Sequence, residues 1–195
     1  MTANTFTLSG FTGRGYDRGR GVAVQIAWLM IRGVLARWWV PVGVRVSVLR
    51  LFGADIGTAV NLRHGVRIHW PWKLTIGDGS WIGEGVWILN LEHVTIGANT
   101  CISQDVLLCT GSHDRRSPTF EFDNAAIHIG DTVWLAARSS ILRGVSVGDG
   151  STIGACALVT RDVVAGSLVL APRADFVESS VESSPATLHQ VRDSS

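Results

Sequence analysis

Residues 129–159 read IGDTVWLAARSSILRGVSVGDGSTIGACALV, a stretch in which an aliphatic residue recurs at every sixth position. The recurring residues are Ile129, Leu135, Ile141, Val147, Ile153 and Val159. Upstream, the same spacing joins positions 56, 62 and 68, then 76, 82 and 88, then 96, 102 and 108. All fifteen positions hold Ile, Leu or Val, and glycine directly follows seven of them. Self-similarity of this regularity is typical of a solenoid built from stacked repeats.

A period of six residues matches neither the 3.6-residue period of an α-helix nor the alternation of a β-hairpin. It fits a short strand and a tight turn, with one aliphatic side chain in each repeat pointing inward. Three such repeats close one triangular coil, and successive coils stack at the strand spacing of about 4.8 Å. Glycine is expected at the turns because it accepts backbone conformations that other residues resist. The sequence therefore predicts an all-β fold, a parallel β-helix over residues 55–172.

One long segment interrupts the repeat. Leu108 and Ile129 are 21 residues apart, which is 15 more than one repeat requires. The predicted excursion loop covers residues 109–126 and contains TGSHDRRSPTFEF. A long loop on a regular scaffold is a common place for functional residues, so this loop is the first candidate for an active site.

Composition excludes several classes of function. The formal net charge is +1 and charged residues make up 17% of the chain, whereas a nucleic-acid-binding protein needs a clustered basic surface. The three cysteines, Cys101, Cys109 and Cys156, show neither metal-type spacing nor a disulfide framework. No signal-peptide pattern is seen at the N-terminus. A cytoplasmic protein with no nucleic-acid partner is therefore expected.

The two ends of the chain differ from the repeat region. Residues 1–54 are interpreted as an N-terminal arm and a capping helix, and the helix is predicted over residues 18–40, ending before Pro41. Six arginines and no carboxylate lie between Asp17 and Asp55. Residues 18–40 are expected to cover the open end of the solenoid, and peripheral contact with the inner face of a membrane stays open as a second role. The polar tail, residues 173–195, is predicted to be disordered.

The repeats resemble those of the hexapeptide-repeat acyltransferases, and most of all the branch of colanic-acid, maltose and galactoside O-acetyltransferases. The segments that carry the resemblance are RLFGADIG, GVRIHWPWKLTIGDGSWIGEGVWILNLEHVTIG, CISQDVLLCTGSHD and IGDTVWLAARSSILRGVSVGDGSTIGACALVTRDV, and it extends over about residues 14–175. It implies a left-handed β-helix, a homotrimer, acetyl-CoA as the acetyl donor and a sugar or lipid-linked glycan as the acceptor. The implied function is O-acetylation during exopolysaccharide or other surface-glycan synthesis.

Acetyl transfer from a thioester to a hydroxyl requires a base for the hydroxyl proton, and histidine is suited to that role near neutral pH. In TGSHD, His113 matches the catalytic histidine of the family, and the base mechanism needs neither a metal nor a covalent intermediate. Asn90 and Asp114 are candidates for binding the acceptor, with a corner asparagine and a turn-forming aspartate as the respective alternatives. Cys109 is interpreted as a small residue of the coil rather than a nucleophile.

The resemblance also implies the acetyl-CoA site. In the family the cofactor lies in the groove between the C-terminal coils of adjacent subunits. The matching residues of this sequence are Trp134, Ala137, Ala155, Thr160 and Arg161. Two departures from the family pattern occur: Ala136 replaces a usual glycine, and VLAPRA replaces the usual terminal segment, which shifts Arg173 by one position.

Other functions are compatible with the fold class. A solenoid zinc enzyme of the carbonic anhydrase type is disfavoured, because His64 and His69 have the spacing of two ligands but no histidine precedes His64. A non-catalytic solenoid that serves as a structural or binding module stays open, as does an acetyltransferase that acts on a different small acceptor.

Overall fold

A computed structural model describes residues 6–173 and shows a parallel β-solenoid of about six turns, which confirms the predicted β-helix. Each turn places one short strand on each of three sheets, which we call faces A, B and C. Face A contains β1 (Asp55–Ile56), β4 (Leu74–Ile76), β7 (Val94–Ile96), β10 (Ile127–Ile129) and β13 (Ser146–Val147). Face B contains β2 (Asn61–Leu62), β5 (Trp81–Ile82), β8 (Cys101–Ile102), β11 (Trp134–Leu135), β14 (Thr152–Ile153) and β16 (Leu168–Val169). Face C contains β3 (Arg67–Ile68), β6 (Trp87–Leu89), β9 (Leu107–Cys109), β12 (Ser140–Leu142) and β15 (Leu158–Val159).

The aliphatic repeat forms the core. Every one of the fifteen repeat positions is buried, with at most 7% of the residue exposed. Parallel pairing stacks them in register, as in Ile56 with Ile76 and Ile76 with Ile96. The repeat therefore forms three apolar columns, one behind each face.

The glycines that follow the aliphatic residues were expected for their backbone conformational freedom, but the structure indicates a different reason. Positive φ angles in the coils occur at Gly65, Gly79 and Gly85 rather than at Gly77. At Gly77 a Cβ would lie 2.5 Å from the nitrogen of Ala98 in the next coil. The close approach of the next coil therefore requires glycine at position 77.

The described N-terminal region holds two α-helices, whereas one helix was predicted over residues 18–40. The first, α1, spans Val22–Leu35, and the second, α2, spans Val42–Leu51. Pro41 lies at the N-cap of α2, where its fixed φ and missing N–H cost nothing. The proline thus begins a second helix as well as following the first.

Both helices contact the first coil. The indole nitrogen of Trp28 in α1 donates a hydrogen bond to the carbonyl of His69 at 2.8 Å. Arg45 in α2 is 4% exposed and donates to the carbonyl oxygens of Leu35, Arg37 and Leu62. The helix pair therefore covers the end of the solenoid at which the chain enters it.

A cluster of large apolar side chains remains exposed in this region. Ile26, Met30 and Val34 lie on one side of α1 at a spacing of four residues, and Trp38 and Trp39 follow on the connection to α2. We call these five residues the apolar patch. Within residues 6–173, no helix is long and apolar enough to cross a bilayer. The tail predicted to be disordered lies outside the described residues from position 174 onward.

Candidate active site

The excursion loop leaves the solenoid at the corner between faces C and A, which we call the CA edge. It folds back on itself, and His113 pairs with Phe122 in an antiparallel bridge. Backbone hydrogen bonds on both sides of this bridge join Asp114 N–H to the carbonyl of Glu121 at 2.8 Å and Asp123 N–H to the carbonyl of Ser112 at 2.9 Å. The loop is therefore an ordered hairpin that carries His113 away from the coil.

Aromatic rings and one hydrogen bond orient the His113 side chain. Its ring stacks on Phe120 at 4.5 Å between centroids and 5° between planes, and on Phe122 at 5.1 Å. The Nδ1 atom lies 2.8 Å from the carbonyl oxygen of Phe120. Because a carbonyl only accepts hydrogen bonds, Nδ1 carries a proton, and in the neutral ring Nε2 therefore keeps its lone pair. The residue is exposed, so this orientation suits a general base.

The N-terminal arm, residues 6–16, holds the loop from the other side. Both carboxylate oxygens of Glu121 accept hydrogen bonds from the arm, one from the backbone N–H and hydroxyl of Thr12 and the other from Gly13 N–H. Phe11 packs edge-on against His113 at 5.5 Å between centroids. The backbone hydrogen bond from Thr12, followed by those from side chains and from Gly13, holds the pKa of Glu121 below its usual range. Sequence reasoning missed this contact.

Asn90 lies in the coil below the loop and is fully buried. Its Oδ1 accepts hydrogen bonds from the backbone N–H groups of His69 at 3.1 Å and Trp70 at 3.0 Å. Its Nδ2 donates to the carbonyl oxygens of Trp70 at 2.6 Å and Lys73 at 2.9 Å. This geometry favours the alternative of a corner asparagine over contact with an acceptor.

Two neighbours of His113 in the sequence have structural contacts. The Asp114 carboxylate accepts a hydrogen bond from Arg116 N–H at 2.8 Å, as a turn-forming aspartate does. Cys109 ends β9, and its thiol donates to the carbonyl of Gly111 at 3.4 Å. Neither contact involves the His113 ring.

The five residues predicted to bind acetyl-CoA fall on one face and on two different edges of the prism. Trp134 begins β11 on face B, and Ala137 and Ala155 lie one coil apart at the corner between faces B and C, the BC edge. Thr160 and Arg161 follow β15 at the CA edge, where they line a groove of about 620 Å³. The loop with His113 leaves the same CA edge two coils earlier. One subunit alone therefore does not bring the five predicted residues together.

Each of these residues is accessible to some degree. Trp134 is 51% exposed and its indole N–H donates to Ser103 Oγ at 3.0 Å, while Ala155, Thr160 and Arg161 are exposed and Ala137 is half-buried. Ala136, which departs from the family pattern, is buried in the coil.

The histidines considered for zinc have other neighbours. His64 Nε2 lies 3.0 Å from Glu84 Oε1, and His69 packs edge-on against Trp70. Among residues 6–173, no three His, Cys, Asp or Glu side chains are grouped so that they could hold a metal ion. Independence from metals stays a prediction.

Several known proteins are similar to this chain. The profile of the family described as bacterial transferase hexapeptide (six repeats) matches residues 126–161. The provisionally named colanic acid biosynthesis acetyltransferase WcaF of Escherichia coli is 41% identical over 162 residues, which cover 81% of this chain and 88% of that protein. Galactoside O-acetyltransferase of the same organism is 30% identical over 122 residues, which cover 61% of this chain and 60% of that protein.

A similar solved structure is a hexapeptide-repeat acetyltransferase of Vibrio cholerae in complex with acetyl-CoA. It superposes with a TM-score of 0.73 at 23% identity and covers 82% of this chain and 89% of that one. At this level of identity the likeness shows the fold.

Proposed function

We propose that this chain, which belongs to the hexapeptide-repeat acetyltransferases, transfers an acetyl group from acetyl-CoA to a hydroxyl of a sugar during surface-glycan synthesis. The observation that carries the proposal is the geometry of His113, whose Nδ1 is held by a backbone carbonyl while no residue between 6 and 173 forms a hydrogen bond with Nε2. The names of the relatives support the acceptor class, because one is named for colanic acid biosynthesis and another for galactosides.

His113 acts as a general base in the proposed reaction. Its Nε2 accepts the proton of the acceptor hydroxyl as the hydroxyl oxygen attacks the thioester carbonyl, and the same proton then goes to the departing thiolate of CoA. The hydrogen bond from Nδ1–H to Phe120 steadies the imidazolium that forms between these steps, since it remains a good donor in that state. The acetyl group passes directly to the acceptor, and no bond forms to the enzyme.

Release of free CoA in the presence of acceptors tests the function. With acetyl-CoA and a panel of hexoses, galactosides and glycan fragments, we expect thiol release above the acceptor-free rate for at least one sugar, and the same rate in EDTA. An acetylated product identified by mass spectrometry fixes the acceptor class. Binding of acetyl-CoA without turnover on any hydroxyl would instead favour the non-catalytic solenoid, and turnover on a non-sugar acceptor alone would overturn the sugar assignment.

The working unit is proposed to be a homotrimer with shared sites. The separation of the predicted acetyl-CoA residues between the BC and CA edges supports this, because a BC edge of one subunit and a CA edge of its neighbour can line one groove. Leu158 on face C and Leu168 and Trp134 on face B are exposed, and apolar surfaces of this kind favour an interface.

Mixed oligomers test whether the site is shared. Chains that carry His113→Ala and chains that carry Trp134→Ala are co-refolded in equal amounts, and we expect activity above the sum of the two separate variants. The recovery arises because some interfaces combine an intact His113 with an intact Trp134. Absence of recovery in verified mixed oligomers would place both residues in one subunit's site, and a monomer in light scattering would contradict the trimer.

Peripheral contact with a membrane is proposed through the apolar patch. Trp38 and Trp39 are 77% and 58% exposed. Arg37 directly precedes them in the sequence, and residues 18–54 contain no carboxylate. We expect the double change Trp38→Gln and Trp39→Gln to lower binding to anionic vesicles about tenfold or more, since two large apolar side chains no longer enter the interface.

Co-sedimentation with vesicles containing phosphatidylglycerol, at low and high salt, measures this effect. Trp81→Gln is the matched control, because Trp81 is 60% exposed on face B, away from the patch. Equal binding of the double variant and the control would contradict contact through the patch.

A further inference from the structure

A cavity of about 480 Å³ lies between α1 and face C in the first two coils. Its size falls within the range of small-molecule sites in proteins. Its walls are mainly apolar and include Trp28, Leu35, Leu49, Ile68 and Leu89. Nothing in the proposed acetyl transfer uses this space.

Four arginines line the same cavity: Arg32, Arg45, Arg63 and Arg67. None of its lining residues is an aspartate or a glutamate, and none of these arginines takes part in the ion pairs found among residues 6–173. Among the described residues, the lining of the cavity thus carries four positive charges and no carboxylate.

Arg45 makes this imbalance most costly. It is 4% exposed, and among the described residues its guanidinium donates only to backbone carbonyl oxygens. A buried charge without an ionic partner is unfavourable. Burial is the main cause that lowers the pKa of Arg45, and repulsion from the charge of Arg63 lowers it further. The positive charge also acts on His69. Burial, as the main cause, and then the nearby charges of Arg32, Arg18 and Lys73 together lower the pKa of His69 to about 4. An anionic ligand would relieve both effects.

We propose that this cavity is a binding site for a phosphate-bearing lipid, with the phosphate at Arg32, Arg63 and Arg67 and the first part of the hydrocarbon chain against the apolar wall. The arginines recognise the anion by charge-assisted hydrogen bonds. The lining favours a lipid phosphate over a fully hydrated anion. Trp28, Leu35 and Ile68 form an apolar wall that suits a hydrocarbon chain but offers no polar contact to a hydrated anion.

The surroundings of the cavity fit such a ligand. Gly33 and Arg32 border it on α1, and the apolar patch continues along the same helix at Met30 and Val34. At the other end, Leu89 pairs in register with Cys109, the last residue of β9 before the excursion loop. A lipid in the cavity therefore lies one strand away from the segment that leads to His113. A role for this lipid in acetyl transfer rests on the proposed function, whereas binding of the lipid does not.

Titration calorimetry of the full chain tests the site with dioctanoyl phosphatidic acid below its micelle concentration. We expect saturable binding of one lipid per chain, at least tenfold tighter than binding of dioctanoyl phosphatidylcholine or of inorganic phosphate. Equal affinity for inorganic phosphate would overturn the lipid assignment, and the absence of saturable phosphatidic acid binding would overturn the site.

Two variants place the ligand. The exposed pair Arg63→Gln and Arg67→Gln is expected to weaken phosphatidic acid binding at least tenfold, while Arg138→Gln, an exposed arginine three coils away at the BC edge, leaves it unchanged. Gly33→Phe projects a ring beside the cavity from a helical position with no atom within 4 Å of a Cβ, and it is expected to weaken lipid binding with a melting temperature equal to wild type. Unchanged binding in both the arginine pair and Gly33→Phe would place the lipid elsewhere. CoA release is assayed separately, so failure of lipid binding and failure of acetyl transfer are distinguishable.

Discussion

His113→Ala is expected to lower turnover by about 10²–10⁴-fold while leaving acetyl-CoA affinity nearly unchanged. The imidazole removes the proton from the acceptor hydroxyl in the transition state, whereas the residues proposed to bind acetyl-CoA lie at the BC edge and in the terminal coils. The loss should therefore appear in kcat rather than in donor binding. Steady-state kinetics with saturating acceptor, together with calorimetric titration of CoA, separates the two quantities.

Two control variants sharpen this experiment. His128→Ala removes an exposed histidine from β10 on face A and is expected to retain wild-type turnover. Cys109→Ala is expected to remain active, since its thiol contacts the Gly111 carbonyl. Full activity of His113→Ala would remove this residue from the mechanism, and an inactive Cys109→Ala with a native fold would favour a covalent route.

Asn90→Ala is expected to destabilise the protein by about 2–4 kcal/mol, because it leaves several buried backbone groups without their partner. Oδ1 and Nδ2 of Asn90 together serve two N–H groups and two carbonyls, all in the segment of residues 69–73. A change of this size lowers the melting temperature by about 5–15 °C in a chain of this length. Scanning calorimetry at fixed protein concentration measures it.

Asn61→Ala provides the matched comparison, since Asn61 lies half-exposed at the start of β2 and points outward. We expect its melting temperature to stay within the error of the wild type. If Asn90→Ala kept wild-type stability but raised the acceptor KM, the corner role would be refuted and the role in acceptor binding restored.

The sequence predicted the scaffold because one physical rule repeats in it. An aliphatic side chain at every sixth position is needed to fill the interior of each coil, and Ile82, Ile102 and Leu135 are fully buried as that rule requires. The rule applies within each coil and to its neighbours, so no knowledge of distant contacts was needed. The excursion was predicted for the same reason, as the place where the rule fails.

Features that depend on distant contacts were not predictable in this way. Within residues 18–40, where a single helix was predicted, α1 ends at Leu35 and a turn follows. Arg45 of α2 donates to the carbonyl oxygens of Leu35 and Arg37 where the helix gives way to that turn. Asn90 offered two equal interpretations, and only the positions of residues 69–73 around it favour one of them. The glycine at position 77 was expected for its backbone freedom, yet the neighbouring coil is the reason for it.

His113 itself was found from its motif, but its orientation was not. The aromatic residues around it are Phe120 and Phe122 from its own loop and Phe11 from the N-terminal arm. TFEF, which alternates two phenylalanines with Glu121, indicates a short extended segment with one side for packing and one for a charge. That pattern names no partner, and the partner lies more than a hundred residues earlier in the sequence.

The contact between Thr12 and Glu121 spans 109 residues, whereas adjacent coils pair residues about one coil apart, as Asp55 does with Thr75. During synthesis on the ribosome, the arm emerges before the first three coils. Its partner Glu121 is added only after the residues of those coils. Closing so long a segment of chain costs conformational entropy. A few exposed hydrogen bonds and ring contacts offset this cost, with no apolar core to add to them. Opening of the arm and hairpin is therefore a local event that requires less free energy than unfolding a coil. We expect amide hydrogen exchange to be faster in the arm and hairpin than in the coils.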